Sequence, residues 1–186
     1  MTKWQKFCAY ALRKWGWTVD GEIAPAKIAV IIAAPHTSML DFLVCYLYYT
    51  AAGVTPHALV KKEIFFWPMG PILRKLGAIP LDRKNPVYAI KGTIDKMKNS
   101  AEVFHLALSP EGTRKPVSRW KTGYHTIARA LDCPVYLGHI DWGRKVIGTG
   151  EALPLTDNAR KDTEAMQAYY AGKDYKGRHP ENFATK

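Results

Sequence analysis

The chain has 186 residues, 47% of them hydrophobic, enough for one domain with a substantial core. Its 27 basic against 16 acidic side chains give a net charge of +11, which favours polyanionic partners: nucleic acid, anionic lipid surfaces or phosphorylated small molecules. Three well-separated cysteines (Cys8, Cys45 and Cys133), with no C-x-x-C pair, speak against a cysteine zinc site and for reduced packing residues in a cytosolic chain.

Residues 2–16, "TKWQKFCAYALRKWG", place Trp4, Phe7, Cys8, Ala11, Leu12 and Trp15 at helical spacing. Lys3, Lys6, Arg13 and Lys14 fall mostly off that face, so residues 1–17 read as an amphipathic N-terminal helix. It suits either a lipid surface or the domain core. The same charges argue against a secretory signal. "KIAVIIAA", residues 27–34, is a continuous β-branched run, the pattern of a strand buried on both faces. Thr37 or Ser38 is expected to cap the following apolar helix. The nearly uncharged window 28–60 is interrupted by Pro35, His36, Asp41 and Pro56, so it is not read as a membrane span.

Further strands are expected at residues 57–62, 78–81, 103–109, 134–140 and 145–150. A loop and short helix fill residues 65–77. A helix over 86–99 starts on a proline and carries Val87, Ile90, Ile94 and Met97 on its inner face. Helices near 123–131 and over 157–170 complete the pattern, and the polar tail from Lys173 to Lys186 is expected to be loose. Alternation of strands and helices predicts an α/β fold: a single domain, residues 1–186, with a central, mostly parallel sheet flanked by helices.

In such sheets ligands gather beyond the carboxyl ends of strands. Three polar clusters lie there: His36 with Asp41, Asp82 with Arg83, and Glu111 to Arg114. An imidazole takes a proton near neutrality, and does so best when a carboxylate holds its other nitrogen. Positions five apart on a regular helix lie about 140° apart. His36 and Asp41 can meet only if His36 precedes the helix and Asp41 sits in its first turn. Spacing alone also fits an acidic helix start beside a strand-ending histidine. No G-x-S-x-G exists, and Ser38 is too close to His36 to be an evident nucleophile, so the base would activate a hydroxyl brought by a substrate. Arg83 can grip a phosphate with two parallel hydrogen bonds. In "SPEGTRK", residues 109–115, Gly112 permits close backbone approach. Arg114 and the loop amides of Gly112 and Thr113 can hold an anion, with Glu111 orienting them. Metal binding is not indicated: His57, His105, His125, His139 and His179 are scattered, with no H-E-x-x-H. Neither nucleotide-binding glycine motif is present.

Together the clusters resemble the glycerolipid acyltransferase family, the lysophosphatidate acyltransferase group of H-x4-D enzymes. "HTSMLD" matches the first block of that family, "GAIPLDR" the second, "SPEGTR" the third, and "CPV", residues 133–135, the fourth, with "RWKTGYHTIA" as its K-x-G segment. Two positions depart from the usual pattern: Pro35 where the family carries Asn, and Ser109 where it carries Phe. The resemblance implies an O-acyltransferase acting on a lysophospholipid-like acceptor such as 1-acylglycerol-3-phosphate. His36 would be the general base and Asp41 its orienting carboxylate. Arg83 with Glu111, Gly112, Thr113 and Arg114 would bind the acceptor phosphate. The donor would be acyl-CoA or acyl-carrier protein, with no further cofactor. Such an enzyme is expected in the cytoplasm, peripherally attached to an anionic membrane surface, with no nucleic acid partner. The alternatives are a thioesterase using the same pair with water, and a basic module binding nucleic acid or anionic surfaces, for which no helix-turn-helix or RNP-type signature is present.

Overall fold

In the computed structural model, which describes residues 1–184, the β-branched run forms the centre of the sheet. The strands are β1 (Thr18–Asp20), β2 (Ile28–Ala34), β3 (Pro56–Lys61), β4 (Ala78–Leu81), β5 (Phe104–Leu108), β6 (Val135–Asp141), β7 (Val146–Gly148) and β8 (Ala152–Leu153). The spatial order is β1-β7-β6-β2-β5-β3-β4, with β8 pairing to β6. Val30 of β2 stands beside Leu106 on one side and Val135 on the other, both in parallel register. β7 and β8 pair antiparallel with β6, and β1 pairs parallel with β7. The fold is therefore the α/β, mostly parallel architecture that the alternating pattern implies.

Helices α1 (Lys3–Lys14) and α2 (Leu40–Ala51) cover one face of the sheet, where Cys8, Leu12, Val44 and Leu47 pack with Ile31, Ile140 and Ile147. Helices α4 (Pro86–Lys98), α5 (Gly123–Leu131) and α6 (Ala159–Gly172) cover the other, where Met97, Ile127 and Met166 meet Val30, Ile32 and Leu106. Each fully buried aliphatic side chain contributes about 1.5–3 kcal/mol, so β2, buried on both faces, anchors the sheet. A short α3 (Met69–Lys75) follows β3 after a single 3-10 turn at Lys62–Ile64. A capping box between Thr2 and Gln5 starts α1.

Two local expectations change, on α4 and in the tail. At the α2 start the Ser38 hydroxyl accepts the Leu40 amide at 3.2 Å, as expected of one of the two candidate caps, and the Asp41 carboxylate accepts the backbone N–H groups of Thr37 and Ser38 at 2.9 Å. An ionised acceptor forms stronger bonds to these amides than a hydroxyl does. On α4 the inner face is Ile90, Thr93, Ile94 and Met97, whereas Val87 is exposed. Val87 sits in the first turn, beyond the end of β4, and the Thr93 hydroxyl is satisfied by the Ala89 carbonyl at 2.8 Å. The tail is not loose between Lys173 and Ala184. The Lys176 amide donates to Asp141 Oδ1 at 3.2 Å, that of His179 to Thr37 Oγ1 at 3.1 Å, and Phe183 packs near Trp120. Tyr175 and Phe183 give this polar segment two apolar anchors. Gly177 lets it pass, since a Cβ there would lie 2.6 Å from Thr37 Oγ1.

Candidate active site

The carboxyl ends of β2, β4 and β5 bring the three polar clusters together. His36 follows β2 just before α2, and Asp41 is in the first turn of α2. That is the one arrangement in which a five-residue spacing closes, and His36 Nδ1 lies 3.0 Å from Asp41 Oδ2. Asp41 is 1% exposed, while the His36 side chain keeps 29% of its surface open. The Asp41 carboxylate faces donors only: His36, the amides of Thr37 and Ser38, and the indole N–H of Trp142 at 2.7 Å from Oδ1. An acceptor-only, ionised carboxylate suits that surrounding. A carboxylate at this distance favours the Nδ1–H tautomer of His36, in which Nε2 carries the lone pair.

Glu111 ties the second loop to the first. Its carboxylate accepts the His36 backbone N–H at 3.1 and 3.2 Å and the Ser109 hydroxyl at 2.5 Å. Burial pushes the Glu111 carboxyl up to about 7, partly offset by the Ser109 and His36 bonds. Next to it, Gly112 adopts φ +67°, a left-handed conformation that favours glycine. The turn aims the Gly112 carbonyl at Arg83, whose Nη2 donates to it at 2.8 Å. Arg83 is thus held by the 111–114 loop, not by Asp82, which accepts instead from Lys62 Nζ at 3.3 Å and from the Lys84 amide. Thr113 Oγ1 accepts the Lys115 amide at 3.3 Å, and Arg114 projects from the loop, exposed. Among the described residues no cluster of three or more histidine, cysteine, aspartate or glutamate side chains could hold a metal ion.

A groove of about 780 Å³ adjoins the Asp82–Arg83 corner. Lys62, Asp82 and Asn85 line its polar part and Phe65, Ile79 and Ala89 its apolar part. Gly92 also borders it, and a Cβ there would meet nothing within 4 Å.

Sequence reading missed Trp142 and the role of Ser109. Trp142 immediately follows β6, which runs parallel beside β2, so it reaches the same sheet edge as His36. The signal was the aromatic cluster around it. Its ring packs edge-on against Trp15 and Trp17, at 5.7 and 5.0 Å between centroids, with the Lys145 ammonium 4.7 Å from its centre. The segment just beyond α1 therefore braces the residue that holds Asp41.

The family model described as Acyltransferase matches residues 17–136, which include all three polar clusters. This chain belongs to the acyltransferase family. The acyltransferase is 32% identical over 142 residues to the 1-acyl-sn-glycerol-3-phosphate acyltransferase of Bacillus subtilis (strain 168), across 70% of this chain and 67% of that protein. It is 29% identical over 146 residues to the glycerol-3-phosphate acyltransferase of Aeromonas hydrophila subsp. hydrophila, covering 67% of this chain but 18% of that longer protein. The crystal structure of the 1-acyl-sn-glycerophosphate (LPA) acyltransferase PlsC from Thermotoga maritima shares the fold: TM-score 0.61, 18% identity, 95% of this chain and 80% of the other. In the acyltransferase no helix among the described residues is long and apolar enough to cross a membrane.

Proposed function

We propose that this acyltransferase moves a fatty acyl group from a thioester donor, acyl-CoA or acyl-carrier protein, to the hydroxyl of a lysophospholipid-like acceptor. The relative from B. subtilis makes 1-acylglycerol-3-phosphate the first acceptor to consider. The observation that carries the reading is the 3.0 Å His36–Asp41 contact, joined through Glu111 and Gly112 to Arg83. It supports a base and an anion grip side by side at one end of the sheet.

In this scheme the acceptor phosphate binds to the free guanidinium edge of Arg83, the Thr113 amide and Arg114, while the Gly112 amide closes the turn on the Ser109 carbonyl at 3.2 Å. Its hydroxyl then lies at His36 Nε2, which takes the proton as the oxygen attacks the thioester carbonyl. Asp41 stabilises the imidazolium that forms. The carbon–sulfur bond breaks, and the thiolate leaves with the proton from His36. The groove that Asp82 lines, next in sequence to Arg83, receives the acyl chain of the acceptor on the apolar side chains of Phe65, Ile79 and Ala89. The activated acyl group comes from the donor itself.

The enzyme works in the cytoplasm at an anionic membrane surface. Trp4, Phe7 and Tyr10 are exposed on α1 beside Lys3, Lys6 and Lys14, while Cys8 and Leu12 bury the opposite side. The helix therefore packs on the core and offers its outer face to lipid. The deciding experiment supplies labelled acyl-CoA and acyl-carrier protein with a panel of lyso-lipids and separates products by mass. Esterified phospholipid from a phosphate-bearing acceptor supports the proposal. Release of free fatty acid alone identifies a thioesterase and rejects it.

A further inference from the structure

The connections leaving the carboxyl ends of β2, β3 and β4 carry large apolar side chains that stay in water: Met39, Phe66, Trp67, Val87 and Tyr88. Trp67 is 84% and Tyr88 82% exposed. His36 follows β2 and Arg83 follows β4, and β3, parallel to β4, sends Phe66 and Trp67 out at the same end of the sheet, so the apolar side chains share an edge with the site. Soluble monomers rarely gather exposed apolar side chains in this way unless the patch meets a partner.

The charge around the patch selects the partner. Lys61, Arg74, Arg83 and Lys84 are exposed there against Glu63, while Lys62 and Asp82 pair with each other. Lysine is depleted where protein meets protein, but basic side chains beside tryptophan and phenylalanine match an anionic lipid–water interface. We propose that the segment 65–72, with Phe66 and Trp67 as anchors, is a second membrane-contact element of this enzyme. It seats in the headgroup region of an anionic leaflet. Together with α1 it gives the molecule two separated footholds, one on the α1–α2 side and one beyond β3, so the site edge is held against the lipid. An acceptor then enters from the leaflet without crossing water. This proposal rests on the lipid-acceptor reading above.

The test compares the full-length protein with the double variants Phe66→Ser/Trp67→Ser and Trp4→Ser/Phe7→Ser. Binding is measured by co-sedimentation with phosphatidylglycerol–phosphatidylethanolamine vesicles. Activity is measured on vesicle-embedded acceptor and on a short-chain acceptor dissolved as monomer. The expected result for Phe66→Ser/Trp67→Ser is at least about tenfold weaker vesicle binding and a matching loss of kcat/KM on vesicles, with short-chain activity within about twofold of wild type. Unchanged vesicle binding by that variant, with binding lost only in the α1 variant, overturns the second foothold and leaves the lipid reading standing. Loss of short-chain activity places these residues in the acceptor site and also overturns it. A wild-type protein that acylates no lyso-lipid in either form fails the underlying reading itself.

Discussion

Replacing Trp142 with phenylalanine is expected to lower kcat by about 10- to 100-fold and leave the acceptor KM within about twofold. Asp41 Oδ1 receives the Trp142 indole N–H at 2.7 Å, and Asp41 is 1% exposed, so water cannot readily take the place of that donor. A hydrogen bond to a charged group is worth about 1.5–3 kcal/mol, and each 1.4 kcal/mol of lost transition-state stabilisation is about tenfold in rate. Phenylalanine keeps the edge-on packing against Trp15 and Trp17 and the cation contact with Lys145, so the substitution isolates the donor. The unpaired oxygen lets the carboxylate turn away from His36, an effect on chemistry more than on acceptor binding. Steady-state kinetics with saturating donor and varied acceptor read both constants. A Trp142→Phe enzyme with wild-type kcat would refute the idea that this indole holds Asp41 in its working orientation.

Arg83→Ala should raise the acceptor KM by about tenfold or more, because the variant loses the proposed phosphate fork together with the brace on the Gly112 carbonyl; kinetics on the same acceptor check it. Gly92→Leu should shift preference toward shorter acceptor chains, since its side chain grows into the open groove. It should also stabilise α4 by about 0.5–1 kcal/mol through helix propensity, which denaturant melts would show. Glu111→Gln should flatten part of the pH dependence of stability. Burial raises the Glu111 carboxyl from its ordinary 4.5 to about 7, so the folded state holds this proton more tightly than the unfolded one. The resulting stabilisation is full below pH 4.5 and is lost as pH rises to 7, a change of about 3 kcal/mol. Urea melts at pH 5 and pH 8 should show wild type losing more stability than the glutamine variant; equal losses would count against this burial effect.

The frame of this fold was legible because its signals are local. The β-branched run at 28–34, the four-residue strand "AIPL" at 78–81 and the proline opening α4 each announce themselves over a few residues. The His36–Asp41 pair was legible as chemistry, but its contact depended on where α2 begins, which spacing alone could not decide. What stayed hidden was set by long-range packing. Trp142 reaches Asp41 across 101 residues, because β6 lies beside β2. Arg83 looks in sequence like the partner of Asp82, yet it bonds the Gly112 carbonyl 29 residues away. The tail reads as polar and loose, and only the fold reveals that Tyr175 and Phe183 meet an apolar surface. Short strands such as β1 and β8 carry too few residues for periodicity to register.

The most direct test of the account is the turnover of His36→Ala with a labelled thioester donor and 1-acylglycerol-3-phosphate. A fall in kcat of at least about a hundredfold, with the melting transition and acceptor binding kept, is the predicted result. Turnover close to that of the unaltered enzyme would mean that some other group accepts the hydroxyl proton.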